Sequence, residues 1–251
     1  MQASKIARAW FGATALVVIA GLAAQIPVSA GTEGGSFHTP AGRVANLLAF
    51  FTIDSNILVG VGSLLLALGV AGRSTLFGVL RLTGLVGITV TGVVFQVALA
   101  DLYELHGWAV FADTMLHKVS PLMCVAGWLL FGPRGQLSWR VLSWSLLYPL
   151  AWLAVTLVRG AIIGFYPYPF VDPGINSYGG VAFNCVLIGV LFIGLAAAAV
   201  GFDRTFSRRD EQDENWGWER NSSVEGEDGG MDGSAPDPPE GVERIRDAGT
   251  Y

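Results

Sequence analysis

The sequence predicts an all-α membrane protein, a bundle of six transmembrane helices with both termini in the cytoplasm. Of its 251 residues, 52% are hydrophobic and 14% are charged, whereas soluble domains average about 25% charged residues. Six segments approach the ~20 apolar residues that a helix needs to cross a bilayer. Basic residues also concentrate beside alternate ends of these segments. Together these observations exclude an ordinary water-soluble enzyme.

The six predicted spans cover residues 7–28, 46–70, 82–100, 112–131, 141–162 and 181–202. Short connections rich in Gly, Pro and polar residues separate them, which is typical of an up-and-down bundle. The first span has a second interpretation. Lys5 and Arg8, the apolar run and Val28-Ser29-Ala30 resemble a cleavable signal peptide, whose removal would leave five spans.

The flanking charges predict the orientation of each span in turn. Nine basic residues flank the predicted inner ends, namely Lys5 and Arg8, Arg73 and Arg81, Arg134 and Arg140, and Arg204, Arg208 and Arg209. The alternate connections hold Glu33, Asp101, Glu104 and Asp172, with Arg43 as their main basic residue. Because basic loops are retained in the cytoplasm, we expect a multi-pass protein of the cell membrane with both termini inside.

The net charge of −5 combines two different parts of the chain. Residues 1–202 carry a net +3, and residues 203–251 carry a net −8. From Asp210 onward there are few aliphatic residues, so this acidic cytoplasmic tail is predicted to be disordered, serving as a solvating appendage or an interaction arm. Cys124 and Cys185 form no disulfide or metal-binding pattern. We expect no metal, no cofactor and no nucleic-acid partner.

Polar side chains within the predicted spans concentrate near the outer membrane boundary. They are Thr52, Asp54, Ser55 and Asn56, Gln96, Asp113, His117 and Lys118, Arg159, and Asn184. With the topology above, they form one layer roughly 5 to 10 Å deep, while the inner half is almost purely apolar. Because intramembrane polar groups usually face the bundle interior, the layer predicts a polar cavity that opens to the outer face.

Helical spacing places two pairs of these residues on shared faces. Thr52 and Asn56 are four residues apart, as are Asp113 and His117. A carboxylate one turn from an imidazole can orient a general base. Structural interpretations remain open: a threonine can bond its own helix carbonyl, and Arg159 can join helices or extend to the surface. The aromatic segment 166–170 suits an interfacial anchor or a lip over the cavity.

Several motifs resemble those of a known family. They are Phe-Phe-Thr-Ile-Asp-Ser-Asn at 50–56, Asp-Thr-Met-Leu-His at 113–117 with Pro121 and Trp128, Gly-Pro-Arg-Gly at 132–135, and Arg159 with Tyr-Pro-Tyr-Pro-Phe at 166–170. Over about residues 7–202 the chain resembles the bacterial Pr-six-Pr integral membrane proteins. More distantly, it is similar to the androgen-induced membrane hydrolases of animals, six-span proteins that cleave fatty acid esters of hydroxy fatty acids. That resemblance implies a Thr nucleophile at Thr52 and a His base at His117, although the interval between them is shorter here.

Two functions are compatible with these features. In the first, Thr52 attacks an ester carbonyl of a lipid, His117 accepts its proton and Asp113 orients His117. Asn56, Gln96, Arg159 and Asn184 would then bind the substrate or its oxyanion. This mechanism requires His117 within hydrogen-bond reach of Thr52. In the second, the cavity binds a lipid or a small amphipathic molecule without catalysis, as in a carrier or sensor. Membrane lipids are the expected partners in both.

Overall fold

The computed structural model describes residues 4–32, 36–72, 74–100 and 104–228, with side chains described as far as Ser207. These residues form helices and connections without a strand. The helices are α1 (Lys5–Gly31), α2 (Pro40–Ala45), α3 (Phe51–Leu68), α4 (Thr75–Val94), α5 (Trp108–Thr114), α6 (Ser120–Phe131), α7 (Trp139–Ser145), α8 (Leu147–Ile163) and α9 (Pro173–Asp228). Two π-helical turns, Phe95–Leu99 and Met115–Val119, extend α4 and join α5 to α6.

Six helical stretches are long and apolar enough to span a membrane: Lys5–Gly31, Phe51–Leu68, Thr75–Leu99, Trp108–Phe131, Trp139–Ile163 and Pro173–Ser207. This confirms the predicted all-α, six-span fold. The observed spans begin or end a few residues from the predicted limits. The clearest difference is at the start of the second span. It was predicted to begin at residue 46, but α3 begins at Phe51 because residues Asn46–Ala49 form a 3₁₀ turn. Glu33, Arg73 and Asp101, which contributed to the predicted orientation, lie outside the described residues.

Local sequence signals account for several helix ends. Ser4, Ser74 and Ser138 each accept a hydrogen bond from the backbone N–H three residues later, at the starts of α1, α4 and α7. Gly69 and Gly164 end α3 and α8 with left-handed φ values of 72° and 68°, a conformation that favours glycine. Polar capping thus sets helix ends within a sequence whose apolar runs are nearly continuous.

Helix α4 lies at the centre of the bundle. Its buried residues Leu82, Val86 and Val90 belong to a core shared with α6, α7 and α9, and its opposite side packs against α3. Helix α8 is different, since Thr156 and Gly160 are its only buried residues. It barely contacts α9. Consequently, space remains between α8, α9 and the end of α4.

Buried charged side chains join the connection 132–138 to α4 and α9 at one end of the bundle. Arg81 donates to Gln136 Oε1 at 2.7 Å and to the carbonyl of Pro133 at 3.2 Å. Asp203 is fully buried, and its Oδ2 accepts from the backbone N–H of Leu137 at 2.8 Å. Arg81 and Asp203 are not within ion-pair distance of each other, but both bond to the connection 132–138 and their opposite charges attract. The folded body therefore includes Asp203.

The predicted boundary at residue 202 consequently falls inside a helix. The backbone of α9 continues to Asp228, well past Asp210, where disorder was expected to begin. A kink at Asn176 and Ser177, whose backbone angles are not helical, interrupts α9 near its start. No proline occurs between Pro173 and Pro236, so none ends the helix after this kink. The remaining residues of the predicted tail, 229–251, lie outside the described part of the chain.

Candidate functional site

Thr52 lies in the first turn of α3, where backbone N–H groups have no acceptor within the helix. Phe50, the residue just before α3, has an apolar side chain that cannot cap the helix. Tyr168 supplies the missing acceptor, because its Oη accepts from the Thr52 N–H at 3.1 Å. The same Oη lies 3.2 Å from Thr52 Oγ1, and either hydroxyl can be the donor. A tyrosine 116 residues away in sequence thus caps α3.

Aromatic packing fixes the position of Tyr168. Its ring is stacked on Phe170 at 5.1 Å between centroids and lies edge-on to Phe50 at 5.7 Å. Only 9% of the residue is exposed. Burial raises the pKa of Tyr168 to about 12, so its hydroxyl stays protonated and can donate a hydrogen bond at neutral pH. The segment 166–170 therefore contributes a hydroxyl that caps α3 and a residue that lines the cavity described below, which fits the lip interpretation better than a surface anchor.

Asn56 connects the Thr52 helix to the His117 segment. Its Nδ2 donates to the carbonyl of Thr52 at 2.9 Å and to the carbonyl of Leu116 at 3.2 Å. Leu116 belongs to the π-helical turn that also contains His117. Asn56 is fully buried, and its Oδ1 has no hydrogen-bond partner among the described residues. Asn56 therefore holds these two elements side by side.

Asp113 and His117 contact each other, as their spacing predicts. His117 Nδ1 lies 2.9 Å from Asp113 Oδ1, although the angle of approach is not that of a hydrogen bond. The other neighbour of the imidazole is Phe95, whose ring is stacked at 3.9 Å between centroids. Both rings belong to π-helical turns, which are often found at functional sites. No hydrogen bond between Thr52 and His117 occurs within the described residues.

The other predicted site residues lie in separate surroundings. Arg159 donates to Asn46 Oδ1 at 2.6 Å. Asn184 donates to the carbonyl of Phe170 at 3.0 Å, which ties α9 to the segment containing Tyr168. Gln96 is exposed on the surface of its π-helical turn. The seven predicted residues thus divide among several local contacts and do not surround one common space.

A cavity of about 200 Å³ lies beside Thr52. Its walls come from the start of α3, the end of α4 with its π-helical turn, the first half of α8, the segment 168–171 and α9. The surface is almost entirely apolar, and Thr52, Thr91 and Tyr168 are the hydroxyl-bearing residues among those that line it. Thr91 Oγ1 is buried and has no hydrogen-bond partner among the described residues.

The cavity opens towards the lipid. Leu150 of α8 and Ile193 of α9 both line it, and each remains about half exposed or more, at 60% and 49%. These two helices barely contact one another, so a gap between them leads from the membrane into the cavity.

This arrangement corrects the expected polar cavity. Asn56, Gln96, His117, Arg159 and Asn184 do not line the space. The physical reason is that several of these polar groups are used to join helices and loops through internal hydrogen bonds. Apolar side chains of α4, α8 and α9 form most of the cavity wall instead. The lip interpretation of segment 166–170 anticipated a place for Tyr168 beside the cavity. Its bond to Thr52 and the position of Thr91 in the wall depend on contacts between distant elements, which periodicity does not indicate.

The fold and the cavity together define a polytopic α-helical membrane protein with an apolar cavity open to lipid. Comparison with protein-family models, curated proteins and solved structures found no match. The resemblance to the Pr-six-Pr proteins stays a prediction from the motifs. The described part of the chain contains no group of three or more His, Cys, Asp or Glu residues that could hold a metal ion.

Proposed function

We propose that this protein binds a neutral single-chain lipid, with the chain in the cavity and the polar end near Thr52. The observation that carries the proposal is the cavity of about 200 Å³, apolar in its walls and open to the membrane between α8 and α9. Ligand sites in proteins are commonly apolar pockets with a few polar groups that fix the orientation of the ligand. The Thr52 and Tyr168 hydroxyls are such groups.

The size and lining of the cavity favour part of an acyl chain. An apolar protein cavity of ~150 Å³ stays free of water and binds benzene, so a cavity of about 200 Å³ accommodates a comparable or slightly larger apolar group. Trp152 and Phe192 supply large apolar surfaces within it. A chain that enters through the gap beside Leu150 and Ile193 remains in an apolar environment, and its outer part stays in the bilayer.

The polar wall groups favour a neutral end group. Among the described residues, no Asp, Glu, Lys, Arg or His side chain lines the cavity, so a charged group would be buried there without a counter-ion, at high cost. Tyr168 can donate, and the Thr52 hydroxyl beside it can donate or accept. These groups suit the hydroxyls or the ester of a monoacylglycerol.

Gly189 provides a direct test, because it lines the cavity and a β-carbon there would meet open space. The Gly189→Leu substitution should fill the cavity without forcing the backbone. We expect binding of a radiolabelled monoacylglycerol to purified protein in detergent to weaken about tenfold or more, since single methylene groups already change affinity by ~10-fold or more in apolar pockets.

Gly194→Leu is the matched control for this experiment. Gly194 lies on the same helix with equally open surroundings, but it does not line the cavity. The control should bind the lipid within about twofold of the parent protein, a difference well below 1 kcal/mol. Equal binding by the two variants, or no saturable binding by the parent, would contradict the proposed function.

Hydrolysis of a lipid ester is a second candidate, favoured by the 2.9 Å contact between Asp113 and His117. It is also supported by Asn56, which bonds to the carbonyls of both Thr52 and Leu116, so that the segment with His117 runs beside the start of α3. Thr52 Oγ1 would have to exchange its contact with Tyr168 for one with His117, because a threonine hydroxyl needs a base within hydrogen-bond reach.

If the protein is this hydrolase, Thr52→Ala and His117→Ala should each lower fatty acid release from a panel of lipid esters by a factor of about 100 or more. Thr91→Ala is the control, since Thr91 lines the same cavity but has no proposed chemical role. Release that persists in both variants, or falls equally in the control, would exclude the Thr52–His117 mechanism.

A further inference from the structure

Helix α8 has a second lipid-facing surface, separate from the cavity wall. A shallow groove of about 510 Å³ runs along its second half. Val155, Val158 and Ile162 line the groove and are each more than 60% exposed. The cavity instead uses Leu150, Pro149 and neighbouring residues from the first half of α8. At 100° per residue, the two sets of side chains lie on different faces of the helix.

Arg159 lies in this groove at the end of the bundle that contains Tyr168. Its methylene stem contributes to the groove lining, and its guanidinium lies 5.5 Å from the ring centroids of both Phe37 and Phe165. These rings favour a cation, and Asn46 Oδ1 holds one of the guanidinium nitrogens at 2.6 Å. These three contacts hold the guanidinium in position, but none of them carries a negative charge that would neutralise it.

Arg159 has no carboxylate partner within ion-pair distance among the described residues. A guanidinium has five N–H donors, and only one hydrogen bond from Arg159 to the described residues is present. An unpaired cation within a membrane span is costly and usually marks a site that binds something. A ligand that completes this site is an anion at the membrane boundary whose apolar part extends along α8.

We propose that Arg159 and the α8 groove bind an anionic phospholipid. Its phosphate accepts hydrogen bonds from the Arg159 guanidinium, and one acyl chain lies against Val155, Val158 and Ile162. Guanidinium and phosphate form strong charge-assisted hydrogen bonds. A lipid with net negative charge fits better than a zwitterionic one, because no acidic side chain among the described residues pairs with Arg159 to receive an ammonium group.

The test is native mass spectrometry of the purified full-length chain titrated with phosphatidylglycerol or phosphatidylcholine. We expect phosphatidylglycerol to bind more tightly, and Arg159→Gln to weaken that binding about tenfold, the size expected for loss of a charge-assisted contact. Arg140→Gln is the matched control, since it removes the same charge from an exposed position on α7 and should leave the affinity unchanged. Arg159→Lys keeps the charge and should retain part of the binding.

Three results would contradict the proposed phospholipid site. One is equal affinity of the parent protein for the two lipids. Another is an equal effect of Arg159→Gln and Arg140→Gln while circular dichroism shows that both variants are folded. The third is full competition by glycerol phosphate at the concentration of the lipid, which would indicate a site for free phosphate. Gly189→Leu, which blocks the separate cavity, should leave phosphatidylglycerol binding unchanged.

Discussion

Arg81→Met is expected to lower the free energy of unfolding by about 3 kcal/mol, because it leaves Asp203 buried without its nearby cation. Asp203 is fully buried, and its Oδ1 has no hydrogen-bond partner among the described residues. The substitution also removes the donor to Gln136 Oε1 and to the carbonyl of Pro133. Methionine occupies similar space in an apolar core, so the loss of charge and hydrogen bonds dominates.

Unfolding of the purified protein in mixed micelles of detergent and sodium dodecyl sulfate measures this effect. Arg140→Met is the control, because Arg140 is exposed and such substitutions usually change stability by ~0.5 kcal/mol or less. The double substitution Arg81→Met with Asp203→Leu should cost less than the sum of the two single substitutions, since the pair is removed together. Strict additivity, or an Arg81→Met effect as small as the control, would contradict the assigned role of Arg81.

Tyr168→Phe is expected to destabilise the protein by about 1–3 kcal/mol, the cost of leaving a buried donor unpaired. The donor is the backbone N–H of Thr52, which bonds to Tyr168 Oη. Phenylalanine retains the ring contacts with Phe50 and Phe170. Thr52→Val should cost less, because Tyr168 can still accept from the backbone N–H of residue 52 after the hydroxyl is lost.

The same unfolding measurement compares the two single variants and their combination. If Tyr168 caps α3, the tyrosine substitution has the larger effect. The combined variant should then cost less than the sum, because both residues share one contact. An effect of Thr52→Val that equals or exceeds that of Tyr168→Phe would show that the hydroxyl pair, and not the helix cap, holds this end of α3. Monoacylglycerol binding should weaken in both variants.

The fold follows from local properties of the sequence. Six apolar runs of sufficient length predict six spans, since helices satisfy their backbone hydrogen bonds within the membrane. Residues four apart share a helix face, which predicted the neighbouring positions of Asp113 and His117. Serine capping at positions such as Ser74 is likewise local.

The site depends on contacts between distant elements, which periodicity does not encode. Tyr168 caps α3 across 116 residues, and Asp203 accepts from Leu137 across 66 residues. The predicted polar layer assumed that residues at a similar depth in the membrane also face the same space. Depth follows from the rise per residue, but the direction in which each side chain points also depends on helix rotation. Two π-helical turns, Phe95–Leu99 and Met115–Val119, alter that rotation locally.

If the cavity between α4, α8 and α9 receives a lipid chain, its wall residues should react with a probe carried on that chain. The most direct measurement is photo-cross-linking in membranes with a monoacylglycerol that carries a diazirine on its acyl chain, followed by mass-spectrometric mapping of the labelled residues. We expect labelling of cavity residues such as Trp152 and Phe192, and loss of this labelling in Gly189→Leu but not in Gly194→Leu. Labelling confined to exposed lipid-facing residues such as Leu16 and Ile19 of α1, unchanged by either substitution, would contradict it.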